Sequence, residues 1–267
     1  MSDLRQVTLS NDPDHQTREA AVLAPSVRHQ STLPAGHPCM GCAVRTAAVC
    51  GVLDCDKLSK LRGQGNHLRL GAGQPLFHEG DPAVSVFTLT SGAIKLYKLL
   101  PDGRRQVTGF MQPGDFLGIS VDDEHAFTAE ALEQSQLCYF PRSRFDNFVE
   151  ENVEMERELY RLAAHELAAA QQQMVLLGRK TAAERLASFF VALAERAERA
   201  IDGEVRFIRL PMSRSDIADY LGLTKETVSR VLALLKRQRL IRLDAIDRIE
   251  ILDREALEQV AAGDLDA

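Results

Sequence analysis

The sequence has no apolar run near the roughly 20 residues that a bilayer-spanning helix needs. Its opening residues, "MSDLRQVTLSNDPDHQ", lack the apolar stretch of a secretory signal, so a cytoplasmic protein is expected. A P-loop, a dinucleotide fingerprint and any nucleophile-plus-base motif are missing too, which excludes the commonest enzyme readings and predicts a protein that is not an enzyme. Cysteine is scarce: five in 267 residues, an odd number that argues against a pure disulfide framework. Nor is there an excess of positive charge; the net charge of −6 does not by itself suggest nucleic acid. What remains is a chain that is 45% hydrophobic and 26% charged, a soluble globular composition of one large domain or two ordinary ones.

The few cysteines are not scattered. Four fall in "HPCMGCAVRTAAVCGVLDC", residues 37 to 55, with spacing C-x2-C-x7-C-x4-C. In a reducing compartment such a cluster reads as metal ligands or redox groups. Thiolates are soft ligands that select zinc, Cu(I) or iron–sulfur clusters, and spacing alone does not separate these. Cys39, Cys42 and Cys50 offer three ligands on one short loop, and a fourth is needed to close a site. The fifth cysteine, Cys138, sits in the alternating stretch "SQLCYF".

Texture divides the chain. Residues 1–36 carry Pro13, Pro25 and Pro34 without periodicity and read as a flexible tail; 37–56 form the cysteine-rich loop. Residues 57–143 are short apolar runs broken by glycine, the pattern of a β barrel or sandwich, with a hairpin at "LPDGRR". Residues 144–178 have no proline, and Met155, Leu159, Leu162, Ala163, Ala170, Met174 and Leu177 recur at steps of three and four. This predicts one long helix, longer than a single domain can cover. The small side chains of "AAHELAAA" let a second helix approach, so Met155, Leu159, Leu162, Ala170, Met174 and Leu177 are the candidate dimer stripe. Residues 179–252 are helical and finish with "LIRLDAIDRIEILD", a small hairpin; 253–267 read as a tail.

The most specific motif is "LPMSRSDIADYLGLTKETVSRVLALLKRQRLI". Ser213 and Asp216 form a capping box, Gly222 suits a left-handed corner, and Thr224 caps a second helix. Ile217, Leu221, Val228, Val231 and Leu232 pack the two helices together. Lys225, Glu226, Ser229 and Arg230 are left on the outer face, where a recognition helix meets base edges. Between Glu204 and Leu243, nine basic side chains oppose four acidic ones.

This order of parts resembles the CRP/FNR superfamily of dimeric transcription regulators over about residues 37 to 252. The resemblance implies an α+β protein: an N-terminal β-roll (a cyclic-nucleotide-binding-like jelly roll), a long dimerisation helix and a C-terminal winged helix-turn-helix. It implies double-stranded DNA, a second copy of the chain and RNA polymerase as partners. The E-x-x-S-R pattern at Glu226, Ser229 and Arg230 is similar to the FNR branch, implying readout of an inverted TTGAT-type repeat with Thr224 and Lys225 alongside. From that branch come the ligand roles of Cys39, Cys42, Cys50 and Cys138 around an oxygen-labile 4Fe–4S cluster, with zinc as the alternative, and the expectation of an oxygen-responsive activator. Cys55 is the rival of Cys50, but it lies near the start of the helix expected at "DKLSKL". Cyclic nucleotide is not expected: "PGDFLGISVDDEHAFTAEAL" has no arginine after Gly118 and carries Asp122, Asp123 and Glu124, which repel phosphate.

Overall fold

Asp54 begins the first helix by accepting the Lys57 amide at 2.9 Å, and in doing so it fixes the chain between cysteine loop and β-domain. The computed structural model describes residue 33, residues 36–37, and residues 39–264 apart from 121, 202 and 246. A 3-10 turn, Val49–Val52, precedes this helix, α1 (Cys55–Gly63). Eight antiparallel strands follow: β1 (Asn66–Leu70), β2 (Pro75–Phe77), β3 (Ser85–Ser91), β4 (Ile94–Leu99), β5 (Arg105–Met111), β6 (Phe116–Leu117), β7 (Thr128–Ala131) and β8 (Ser135–Pro141). They form two four-stranded sheets, ordered β1–β8–β3–β6 and β2–β7–β4–β5. Leu89, Ile94 and Leu137 are wholly buried among Leu70, Phe87 and Leu117 in the core of this roll. The β4–β5 hairpin closes where Leu100 N donates to Arg104 O at 2.8 Å, with Gly103 at φ +84°.

The single helix expected over 144–178 is two. α2 (Arg142–Glu150) stops and α3 (Val153–Arg179) restarts at a new angle of the backbone, Asn152 having φ −134°. Asn152 is buried, and its side-chain amide donates to Phe148 O at 2.6 Å. That carbonyl would have accepted the Asn152 backbone N–H in a continuous helix, so the side chain competes the helix apart.

The remainder is α4 (Ala182–Ile201), β9 (Phe207–Arg209), α5 (Arg214–Leu221), α6 (Lys225–Arg237), β10 (Ile241–Ala245), β11 (Arg248–Ile251) and α7 (Arg254–Ala262). The hairpin β10–β11 extends to β9 as a three-stranded wing. The expected tail 253–267 is instead helical over α7. Asp253 caps it by accepting Ala256 N at 3.0 Å, and Leu257, Val260 and Ala261 bury against the core that α4 lines. The expected tail 1–36 lies outside the described residues except Leu33 and Gly36, and Leu33 packs on the core beside the cysteine loop.

The two halves share a core. Val107 and Phe110 of β5 are buried with Phe189, Ile217 and Leu221; the Phe110 and Tyr220 rings lie 5.2 Å apart. Around this contact, Lys95 Nζ stands 3.0 Å from Asp216 and 2.9 Å from Glu130, while Arg105 reaches Asp216 and Asp219, each at 2.9 Å.

Candidate metal centre and nucleic-acid interface

The helix corner forms as its residues require. Ser213 Oγ accepts Asp216 N at 3.1 Å, and the Asp216 carboxylate accepts Ser213 N at 3.0 Å. Gly222 takes φ +62° and lies beside Leu177, so a side chain there would strain the left-handed backbone although it would meet its neighbours only at ordinary contact distance. Thr224 caps α6 by accepting Thr227 N at 3.2 Å. Ile217, Leu221, Val228, Val231 and Leu232 are buried, whereas Thr224, Lys225, Glu226 and Arg230 are exposed and Ser229 is half-buried. The Glu226 backbone N–H and the Thr224 hydroxyl hold the Glu226 carboxyl below the usual carboxylate range, so it stays an acceptor. Two neighbours escaped the sequence reading. Thr227 Oγ1 accepts from Arg230 Nη2 at 3.1 Å, and Arg214 Nη1 lies 3.4 Å from Ser229 Oγ. The signal of Thr227 was only its place one turn before Arg230, and Arg214, at the start of α5, has no spacing that points to Ser229.

The cysteine loop folds as successive turns. Cys39 N donates to His37 Nδ1 at 3.1 Å, Cys42 N donates to Cys39 O at 3.3 Å, and Cys50 lies within the 3-10 turn. Cys138 lies on β8, in register with His67 of β1 and Thr88 of β3, and its sulfur is 3.6 Å from His67 Nδ1. None of the five cysteines is in a disulfide. Cys39, Cys42, Cys50 and Cys138 line one pocket together with Arg45, Arg62 and apolar side chains that include Leu58 and Phe140. Cys55 is not in that lining; it is the first residue of α1.

Burial pushes the Cys50 thiol up to about 12, helped by Cys42, Cys39 and Cys138. Cys138 rises to about 11, through burial and then Cys42, with Arg62 opposing. Cys39 is raised by burial and Cys42, against Arg62 and Arg45. The four thiols therefore feel one another, although they come from two segments far apart in sequence. Among the described residues, no three His, Cys, Asp or Glu side chains are drawn tightly enough to hold one ion. The donor set is nonetheless all soft sulfur, with two guanidiniums in the same wall, and it suits an anionic thiolate-bound metal group.

The helix stripe is corrected in part. Met155 is wholly buried in its own protomer with Phe145 and Phe148, so it cannot face a partner. Leu159 and Leu162 are half-buried on that same core, and Leu177 turns toward Gly222. Ala170 and Met174 stay exposed. The exposed apolar line runs Val153, Tyr160, Leu167, Met174, one residue every seven, the spacing of a two-helix seam. Residues 163–172 are exposed on all sides of α3.

Residues 67–152 match the profile of the cyclic nucleotide-binding domain, and residues 184–260 match that of the Crp-like helix-turn-helix domain. The nitrogen fixation regulation protein FixK of Bradyrhizobium diazoefficiens is 43% identical over 86% of this chain and 96% of its own length. This chain belongs to the CRP/FNR family of transcription regulators. The transcriptional activator protein Anr of Pseudomonas aeruginosa is 38% identical over 88% of this chain and 96% of its own. Among solved structures, FixK2 from Bradyrhizobium japonicum superposes with a TM-score of 0.69 at 35% identity, covering 76% of this chain and 99% of that one. This CRP/FNR regulator is thus a DNA-binding protein and not an enzyme, and among the described residues no helix is long and apolar enough to cross a membrane.

Proposed function

We propose that this CRP/FNR regulator is an oxygen-responsive activator that holds a 4Fe–4S cluster on Cys39, Cys42, Cys50 and Cys138. On this reading it binds an inverted TTGAT-type repeat as a homodimer and meets RNA polymerase there. One observation carries the reading: a loop thiol trio and a single strand thiol, 88 residues further on, share one buried pocket. Four soft thiolates with two guanidiniums in the same wall suit a thiolate-bound cluster, with zinc as the alternative. When bound, such a cluster supplies an oxygen-labile charge centre.

The protein's own residues can carry its state to the helix. The 3-10 turn that holds Cys50 packs against α3. Lys57 of α1 pairs with Glu154 in the first turn of α3, just after Val153 begins the exposed heptad line. Order in the loop thus sets how α3 presents Tyr160, Leu167 and Met174 to a second copy. A dimer then places two copies of α6 about one DNA turn, ~34 Å, apart. Cyclic nucleotide is not the ligand on this reading. Arg142 is spent on Ser120 O and Asp122 O, and Asp123 and Glu124 are exposed beside it.

Iron, sulfide and visible absorbance of anaerobically purified protein, before and after air, test the proposal. We expect iron and sulfide in cluster proportion, a brown colour bleached by air, and a parallel loss of dimer and site-specific DNA binding. A colourless protein with one zinc per protomer and unchanged binding in air would overturn it.

A further inference from the structure

Arg62 ends α1 with its side chain turned into the thiol pocket. Its Nη1 donates to Gly65 O at 2.7 Å, which fixes the plane of the guanidinium. Its Nε is buried, and among the described residues nothing accepts from it. A buried donor without an acceptor is costly and rare in a protein that gains nothing from it. Most of the wall is apolar, with Val44, Val49, Leu58, Leu61, Phe140 and Phe145, and it carries no acidic side chain to offset the Arg62 charge. Bound thiolates, by contrast, bring negative charge into that same apolar space, and a buried charge needs a partner.

We infer that Arg62 is the fixed counter-ion of the sulfur centre, its Nε donating to a ligand sulfur and its charge offsetting that of the thiolates. The inference deepens the proposed cluster reading and rests on it. Arg62 lines the pocket together with Cys39 of the loop and Cys138 of the strand, so it stands beside both segments. It is a positioning residue: it binds no metal itself. Arginine suits the task because its charge is permanent and its fork is rigid, whereas lysine is a flexible point charge.

The test uses full-length, anaerobically reconstituted protein and the variants Arg62→Met and Arg62→Lys. Metal retention against EDTA and the cluster's midpoint potential are measured, with far-ultraviolet dichroism of the metal-free proteins as the folding check. Arg62→Met is expected to fold, to lose iron about 10- to 100-fold more readily, the range for loss of a group that supports metal ligands, and to show a more negative potential. Arg62→Lys keeps the charge without the planar donor and is expected to fall between. If Arg62→Met matches wild type in retention and potential, this inference alone is overturned. Wild-type protein that takes up no iron would overturn the cluster reading and this inference with it. If Arg62→Met does not fold, wild-type retention in Arg62→Lys would still overturn the donor role, and weakened retention there would support it.

Discussion

Arg230 leaves the outer face of α6 with its guanidinium steadied by Thr227, which is itself held 3.1 Å from Thr224 Oγ1. Presented in this way, Arg230 can take both acceptors of a guanine. Arg230→Ala is expected to cost about 1–3 kcal/mol on the specific site and to relax preference at one base pair. Lys225→Ala should weaken all DNA sequences alike. Competition titrations at fixed salt distinguish the two, and equal loss on specific and random DNA for Arg230→Ala would remove it from base readout. In the loop, Cys50→Ser is expected to abolish iron binding and Cys55→Ser to preserve it, with iron content after anaerobic reconstitution as the measure. The pocket includes Cys50 and leaves Cys55 at the head of α1. The helix pair and the exposed face of α6 were legible in the sequence because a capping box, a corner glycine and a second cap fix the register of two helices within a dozen residues. Arg62 was not, since a lone arginine near the end of a short helix has no spacing that points anywhere until the chain folds.

At the scale of the element, α3 shows what periodicity can and cannot say. Steps of three and four correctly marked a helix, but they did not tell which apolar residues meet their own domain. Met155 belongs to the core, so Met155→Ala should destabilise the protomer by about 2–5 kcal/mol in urea melts and leave the association constant nearly unchanged. Leu167 is 61% exposed on the heptad line. Leu167→Asp should leave urea stability of the protomer within about 0.5 kcal/mol and shift sedimentation toward monomer, because two carboxylates would meet in the seam. Unchanged sedimentation would place the partner on another face. The break at Asn152 was hidden for a different reason: asparagine is tolerated within helices, and only its burial under Phe148 turns its amide against the backbone. Likewise α7 was missed because nine residues carry too few apolar repeats to stand out, although Leu257, Val260 and Ala261 do fall on one face.

Across the whole molecule, Asp216 joins the two halves. It completes the cap of α5 and also receives Lys95 and Arg105 from the β-roll. Burial alone would raise its pKa, but Ser213 and Lys95 together hold the carboxyl below its usual value. A depressed carboxylate stabilises the fold above its unfolded value, about 3.9, and loses that contribution as pH falls through the lower folded value. The junction is thus expected to be insensitive to pH between 7 and about 5 and to give way only in stronger acid. Near-ultraviolet dichroism, through Tyr220 beside Phe110, reports it. Lys95→Met should bring the transition to higher pH at a stability cost of at most about 3 kcal/mol, since Arg105 remains with Asp216. The far end of α3 is bound just as firmly. Gln173 donates to Tyr220 O at 3.0 Å, and Arg185 donates to Leu177 O, Lys180 O and Leu221 O, each at 2.9 Å. With its tip soldered to the reading head, α3 is a strut between the cysteine-loop core and the DNA-binding half: its 27 residues span about 40 Å. A tilt of only about 5° at Val153 would displace that tip by about 3.5 Å, a shift that the Asp216 junction between the two halves resists.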